Sequence, residues 1–220
     1  MGSLSNWVII ANPVAGRGKA RSKACQLARL LDKEGVANRV LWTTRRKEAE
    51  SMASEVAKLG VRGILACGGD GTIHEVINGL LSNPKGQEIS VGVIPAGRCN
   101  DFQSSVRLPS KPEKIAEWII GGKVRSIDLG QTDERYYITV ATLGFDSAVS
   151  QYVADGRAPR FLSGTPAYLY AIMVQLKQYK DTFVRLKSDS FEFEGDIFLA
   201  ATANIPQYGG SMMIAPSAVV

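Results

Sequence analysis

The sequence predicts an α/β chain, with an N-terminal three-layer domain built on a parallel sheet and a β-rich second domain after it. Three observations carry that reading. From Trp7 to about Asp128, short β-branched runs alternate with amphipathic helical stretches, the pattern of βα units. The run Trp7-Val8-Ile9-Ile10-Ala11 is apolar throughout, as expected of a strand covered on both faces. Past Asp128 the alternation gives way to strand-like segments with one helix among them. The expected domains are therefore residues 1–128 and 129–220.

Each element has its own signals. After the loop Asn12-Pro13-Val14-Ala15-Gly16-Arg17-Gly18, the residues Ala24, Leu27, Ala28 and Leu31 recur at helical spacing, and Gly35 stands where a helix C-terminus is capped. Residues 39–42 form a second strand, and the next helix buries Ala49, Met52, Ala53 and Val56 before closing at Gly60. A third strand, 63–67, enters Gly68-Gly69-Asp70-Gly71-Thr72 and then a helix with Ile73, Val76, Ile77 and Leu80 on one face. The fourth strand, 90–94, leads to Pro95-Ala96-Gly97-Arg98-Cys99-Asn100-Asp101, and Pro112 opens a short helix that stops at Gly121-Gly122. In the second domain, residues 136–141, 182–187 and 191–203 read as strands, and 166–179 as a helix N-capped by Thr165. The turn-rich end has no closing element, so this domain is expected to continue past Val220.

Composition narrows the function classes. With 220 residues, 45% hydrophobic and 21% charged, the chain can bury a sizeable core and lacks the low hydrophobicity of disorder. No apolar run approaches the roughly 20 residues of a membrane-spanning helix. An excess of 26 basic over 21 acidic residues leaves a charge of +5, which suits phosphate ligands or an anionic lipid surface. The basic residues are scattered, densest at Arg45-Arg46-Lys47, and no aromatic-interleaved stripe marks a nucleic-acid partner. Cys25, Cys67 and Cys99 fit neither a disulfide framework nor a zinc site, and the start of the chain has no apolar signal core, so a reducing, cytoplasmic compartment is expected.

Ligands of open α/β sheets bind outside the carboxyl ends of the strands, which sets the glycine-bearing loops around one crevice. The loop Gly68-Gly69-Asp70-Gly71-Thr72 removes three side chains where backbone could approach a polyphosphate, and its amides open a helix. Asp70 among those amides implies a metal ion, a loop-fixing role, or a ribose or water hydrogen bond; the plainer alternative is an N-capping Asp in a tight turn. Known fingerprints fail at Gly16-Arg17-Gly18-Lys19-Ala20-Arg21. Ala20 replaces the Ser or Thr of a P-loop, and Arg21 the third glycine of the dinucleotide motif. The one histidine, His74, is expected on a polar helix face, and no G-x-S-x-G provides a hydrolase nucleophile.

Three blocks then carry a resemblance: Asn12-Pro13 with Gly16; Gly68-Gly69-Asp70-Gly71-Thr72-Ile73-His74-Glu75-Val76-Ile77-Asn78-Gly79; and Pro95-x-Gly97-x-x-Asn100-Asp101-Phe102. They resemble the diacylglycerol kinase catalytic domain shared by bacterial lipid kinases, diacylglycerol kinases and sphingosine kinases. Asp128-Leu129-Gly130, Gly144-Phe145-Asp146, Tyr208-Gly209-Gly210 and Ile214-Ala215-Pro216 continue the pattern in order. The resemblance implies a phosphofructokinase- and NAD-kinase-like first domain, ATP and Mg²⁺ as cofactors, and transfer of the γ-phosphoryl group to a lipid hydroxyl at a membrane surface. By position it assigns the nucleotide to Asn12, Pro13, Val14, Ala15, Gly16, Thr44, Gly68, Gly69, Asp70, Gly71, Thr72, Ile73, His74 and Asn100. It assigns the metal to Asp70, Asp101 and Asp128, and sets the general base beyond Val220, leaving no catalytic base within the chain.

Local alternatives stay open: Thr44 as a strand-end turn residue, Asn100-Asp101 as a cap, and Asp128 as a junction anchor. Phe161, Leu162, Tyr168, Tyr170 and Met173 stand as either core packing or an interfacial docking surface. Arg98 is a departure, since the family usually has Thr there; the guanidinium either pairs with phosphate or lowers activity. A homodimer is expected by analogy alone. Two rival readings remain, a phosphotransferase with a soluble acceptor of the NAD-kinase kind and a catalytically silent ATP-binding module.

Overall fold

The computed structural model describes residues 7–133, 135–159, 162, 165–187, 191–210 and 212–219. The chain divides into two compact units, Met1–Val140 with Ala203–Val220, and Ala141–Thr202. The first unit runs through β1 (Trp7–Ala11), α1 (Lys19–Lys33), β2 (Asn38–Trp42), α2 (Glu48–Ala57), β3 (Gly63–Gly68) and α3 (Asp70–Leu81). It continues with β4 (Ser90–Pro95), α4 (Asp101–Ser105), α5 (Pro112–Ile120), β5 (Gly130–Thr132) and β6 (Arg135–Tyr137).

The long strands form one parallel sheet in the order β2-β1-β3-β4, with Ile9 opposite Val40 and Leu65, and Leu65 opposite Gly92. Side chains alternate across a strand, so an all-apolar strand demands cover on both faces. It receives that cover. Val8 and Ile10 join Ala53, Val56, Ile73 and Val76 of α2 and α3, whereas Ile9 and Ala11 join Ala24, Leu27, Ile115 and Ile119 of α1 and α5. Burying one such aliphatic side chain is worth about 1.5–3 kcal/mol, which makes this double-sided core the main source of the unit's stability. Gly79, inside α3, lets α2 approach closely, because a Cβ there would overlap the Glu50 carbonyl. A cavity of about 950 Å³ follows the unpaired edge of β4 between Val91, Trp118 and Ile127, and is not the place where the glycine loops meet.

The second unit contains β7 (Val140–Gly144), α6 (Phe145–Ala154), α7 (Thr165–Gln178), β8 (Thr182–Lys187), β9 (Glu192–Ile197) and β10 (Leu199–Ala203). β7 pairs with β10, β8 pairs antiparallel with β9, and α6 packs on α7. The Phe145 ring stacks on Phe198 at 4.6 Å and meets Tyr179 edge-on at 5.4 Å. The chain then returns to the first unit, where Ile205 is fully buried and β11 (Gln207–Tyr208) pairs with β12 (Met212–Met213).

The four parallel strands and the helices between them lie where the apolar periodicity sets them. Four details differ from expectation. The strand expected over 136–141 is interrupted at Ile138-Thr139, because Ile138 turns into the core and the Thr139 carbonyl accepts from the Asn204 amide. The strand expected over 191–203 is broken at Phe198, whose carbonyl accepts from Phe145 N. α4 and α6 were not anticipated; α6 starts after Gly144 at φ +91° and stops before Gly156 at φ +68°. Of the possible docking residues, Tyr168 and Met173 are 44% and 59% exposed, which corrects the core alternative for them; Phe161 and the capping side chain of Thr165 lie outside what is described.

Candidate functional site

The loops after β1, β3 and β4 meet backbone to backbone at the carboxyl ends of their strands. Asn12 N donates to the Cys67 carbonyl at 2.9 Å, and Ala96 N and Gly97 N both donate to the Gly68 carbonyl, at 2.8 and 3.1 Å. Glycine is demanded at the contacts themselves. A Cβ on Gly16 (φ +59°) would overlap the Ala96 carbonyl, one on Gly97 would overlap Gly69 Cα, and one on Gly69 would sit 3.1 Å from Gly97 Cα. The loops form a floor of main chain with the first turn of α3 set into it.

Gly69 is the N-cap of α3, and its carbonyl accepts from Thr72 N and Ile73 N at 2.9 and 3.2 Å. Asp70, the first residue of that helix, turns its carboxylate to the neighbouring loop, where it accepts from Asp101 N and Phe102 N, both at 3.1 Å. It therefore caps α4 in place of Asn100. The Asn100 side chain (φ +55°) closes its own turn, accepting from Gly97 N at 2.8 Å and donating to the Gly97 carbonyl at 3.1 Å. Asp101 is buried, and its two oxygens accept from Gly210 N at 3.1 and 3.2 Å. A chain of carboxylate-to-amide bonds thus runs from α3 through α4 to the turn at 209–210.

Asn12, Gly16, Gly68 to Thr72, Asn100 and Asp101 are accordingly brought together. Pro13, Val14 and Ala15 lie in the first loop, Val14 being 77% exposed. Ile73 packs into the core beside α2. The Thr44 hydroxyl and amide are both taken up by Glu48, whose carboxyl these bonds hold below its ordinary range. Asp128 is exposed and offers its backbone carbonyl to Asn204 at 2.8 Å. His74 is half-buried next to Asn78, and burial, followed by the charge of Arg135, lowers its pKa. Among the described residues no group of three or more His, Cys, Asp or Glu side chains is placed to hold a metal ion.

Two of the thiols are shifted away from the thiolate form. Burial pushes Cys67 up to about 12, and Cys99 is raised first by burial and then by Asp101 and Asp70.

Several participants carry little sequence signal. Lys23 donates its ammonium to the Pro95 carbonyl at 2.5 Å and so steadies the end of β4. Gly210 reaches Asp101 across 109 residues. Asn78 accepts from Tyr136 N at 3.0 Å and donates to the Tyr136 carbonyl at 2.9 Å, tying α3 to β6. Here a signal existed: an Asn in the buried stretch Ile77-Asn78-Gly79-Leu80 must find partners.

A family model described as the diacylglycerol kinase catalytic domain matches residues 6–132. A second, described as the YegS C-terminal NAD kinase beta sandwich-like domain, matches residues 139–220. A protein of Yersinia enterocolitica serotype O:8 named "Probable lipid kinase YegS-like" is 30% identical over 188 residues, covering 85% of this chain and 63% of that protein. A protein of the same name from Yersinia pestis (strain Pestoides F) gives the same figures, 30% identity with 85% and 63% covered. The chain thus spans 63% of the length of these curated relatives. A solved structure described as a diacylglycerol kinase from Bacillus anthracis str. Sterne superposes with a TM-score of 0.74 at 21% identity, covering 99% of this chain and 70% of that one. At that identity the likeness is one of fold.

Proposed function

The chain belongs to the diacylglycerol kinase catalytic domain family, and from that premise we propose that it transfers the γ-phosphoryl group of ATP to a hydroxyl group of a lipid such as diacylglycerol or a sphingoid base. The observation that supports this reading best is the main-chain floor formed by Gly16, Gly69 and Gly97 at the N-terminus of α3. Backbone amides at a helix start favour phosphate oxygens, and the missing side chains let a polyphosphate come close. The exposed Arg17, Arg45, Arg46 and Lys47, in the loops after β1 and β2, and Lys19 at the start of α1 add positive charge at the same end of the sheet.

Phosphoryl transfer is catalysed chiefly by positioning and charge neutralisation, so a rigid cradle matters more than a reactive side chain. The bonds from Asp70 to α4 and from Asp101 to Gly210 hold the cradle before any ligand arrives. Mg²⁺ is bound through one or two carboxylates together with substrate phosphates. Asp70 fits that donor set, because each of its oxygens accepts one amide and keeps a second lone pair, and Asp101, whose backbone amide it holds, is the second carboxylate. The ion would neutralise phosphate charge there. A lipid acceptor places the reaction at a membrane surface, to which a chain of charge +5 is attracted if the lipids are anionic; among the described residues no helix is long and apolar enough to cross the membrane.

The test is transfer of label from [γ-³²P]ATP with Mg²⁺ to mixed micelles of diacylglycerol or sphingosine, with Asp70→Asn beside the wild type. Label is expected in one lipid and should fall about a hundredfold or more in the variant, the scale of losing a fixed charge-stabilising group. Label in a water-soluble alcohol and in no lipid would transfer the reading to a soluble acceptor. ATP binding without transfer would leave a silent module.

A further inference from the structure

Two arginines stand one residue beyond the glycine contacts of the candidate site. Arg17 follows Gly16, which is seated on the Ala96 carbonyl, and Arg98 follows Gly97, which is seated on Gly69. Successive Cα atoms are about 3.8 Å apart, so both arginine backbones are fixed close to the floor and to each other. Both residues are exposed, and neither joins an ion pair among the described residues. The other cations at the start of α1 are otherwise engaged or differently suited: Arg21 lies over the Trp42 ring, Lys23 holds the Pro95 carbonyl, and Lys19 is a flexible point charge.

Arg17 is also held at φ +58° between Gly16 at +59° and Gly18 at +89°. An L side chain is strained in that region and glycine is not, so the arginine occupies the site against the local backbone preference.

We propose that Arg17 and Arg98 form a two-armed clamp on the terminal phosphates of the bound nucleotide, an inference that rests on the nucleotide reading above. The planar guanidinium matches phosphate oxygens with paired N–H donors, and two such forks approaching from different loops select a chain of phosphates over a single one. Arg98 in this reading gains a phosphate contact where a hydroxyl would offer one uncharged donor. The clamp makes the site prefer ATP and ADP to AMP.

The experiment is calorimetric titration of the protein with ATP and with AMP, for the wild type, Arg17→Ala, Arg17→Gly, Arg98→Ala, Arg98→Lys and the exposed control Lys85→Ala. Each Ala variant should bind ATP about ten- to a hundredfold more weakly, the worth of a charge-assisted hydrogen bond, while AMP binding and the control stay unchanged. Arg98→Lys should recover part of the loss. Arg17→Gly separates binding from folding: relief of the positive φ should raise its melting temperature while its ATP affinity still falls. Unchanged ATP affinity in the variants, or an equal loss for AMP, overturns the clamp while leaving the nucleotide site in place. A wild type that binds neither nucleotide overturns both.

Discussion

Residues 7–140 and residues 141–202 obey different packing regimes. In the first region Ile9, Ile10, Leu27, Leu31, Ile64 and Leu65 are completely enclosed, because the central strands β1 and β3 of the parallel sheet are sandwiched between helices. In the second, Val149, Ala167 and Ala171 are buried among the described hydrophobics, whereas Leu169, Met173, Phe183 and Phe191 are more than half exposed. Among the described residues its strands pair two by two, and a two-stranded sheet cannot enclose a core on its own. The difference teaches where the folding free energy resides: in the layer that also carries the main-chain floor of the candidate site.

Substitutions can break that contrast. Leu27→Ala should cost about 2–5 kcal/mol, as a cavity in a closed core does, while Phe183→Ala, at a side chain 63% exposed, should stay within about 0.5 kcal/mol. Urea unfolding followed by far-ultraviolet circular dichroism reads the helices and strands of both regions, while tryptophan fluorescence isolates the first, since Trp7, Trp42 and Trp118 all lie there. Losses of equal size would abolish the distinction between the regions.

A smaller effect, about 1–3 kcal/mol, is expected for Asn78→Ala, which strands the Tyr136 N–H and carbonyl that the amide satisfies. Hydrogen exchange should then accelerate at the Tyr136 amide and leave β1 protected; an unaltered Tyr136 amide would show that the link contributes nothing.

The smallest is a pH effect at His74. Burial, and then Arg135, depress its pKa below the ordinary 6.5, outweighing the opposing Glu50 and Glu75, so the unfolded chain takes up a proton that the folded one resists. Stability from this residue is complete above about pH 6.5 and declines as pH falls through the depressed value. Urea titrations between pH 8 and 5.5 should show a steeper decline for wild type than for His74→Gln, and parallel curves would remove His74 from the account.

The sequence announces the first region more fully than the second, for a physical reason. A strand covered twice, such as 7–11, and helices with stripes such as Ala24-Leu27-Leu31 carry their periodicity in the residues themselves. α6 does not, since its boundaries rest on the backbone angles at Gly144 and Gly156, and the breaks at Ile138-Thr139 and Phe198 come from bonds to Asn204 and Phe145 far along the chain. The site divides the same way. The glycines of 68–72 are legible as a block, although their grounds differ: Gly69 stands against the Gly97 backbone, Gly68 against the Thr72 side chain, and Gly71 against nothing within 4 Å. That Asp70 caps α4, that Glu48 occupies Thr44, and that Asp101 anchors Gly210 depend on where separate loops come to rest.

The contact of Gly69 with Gly97 also limits how such a chain can change over generations. A side chain gained at Gly97 collides with Gly69 Cα at 2.3 Å, one gained at Gly69 presses on Gly97 Cα at 3.1 Å, and neither partner has a side chain left to shrink in compensation. A side chain at Gly97 is therefore barred by geometry, while Val14, projecting from the first loop two residues before Gly16, meets no such steric barrier. The geometry of the floor is a barrier to exploration in sequence space, and the chemistry above it diversifies only through the residues on its rim.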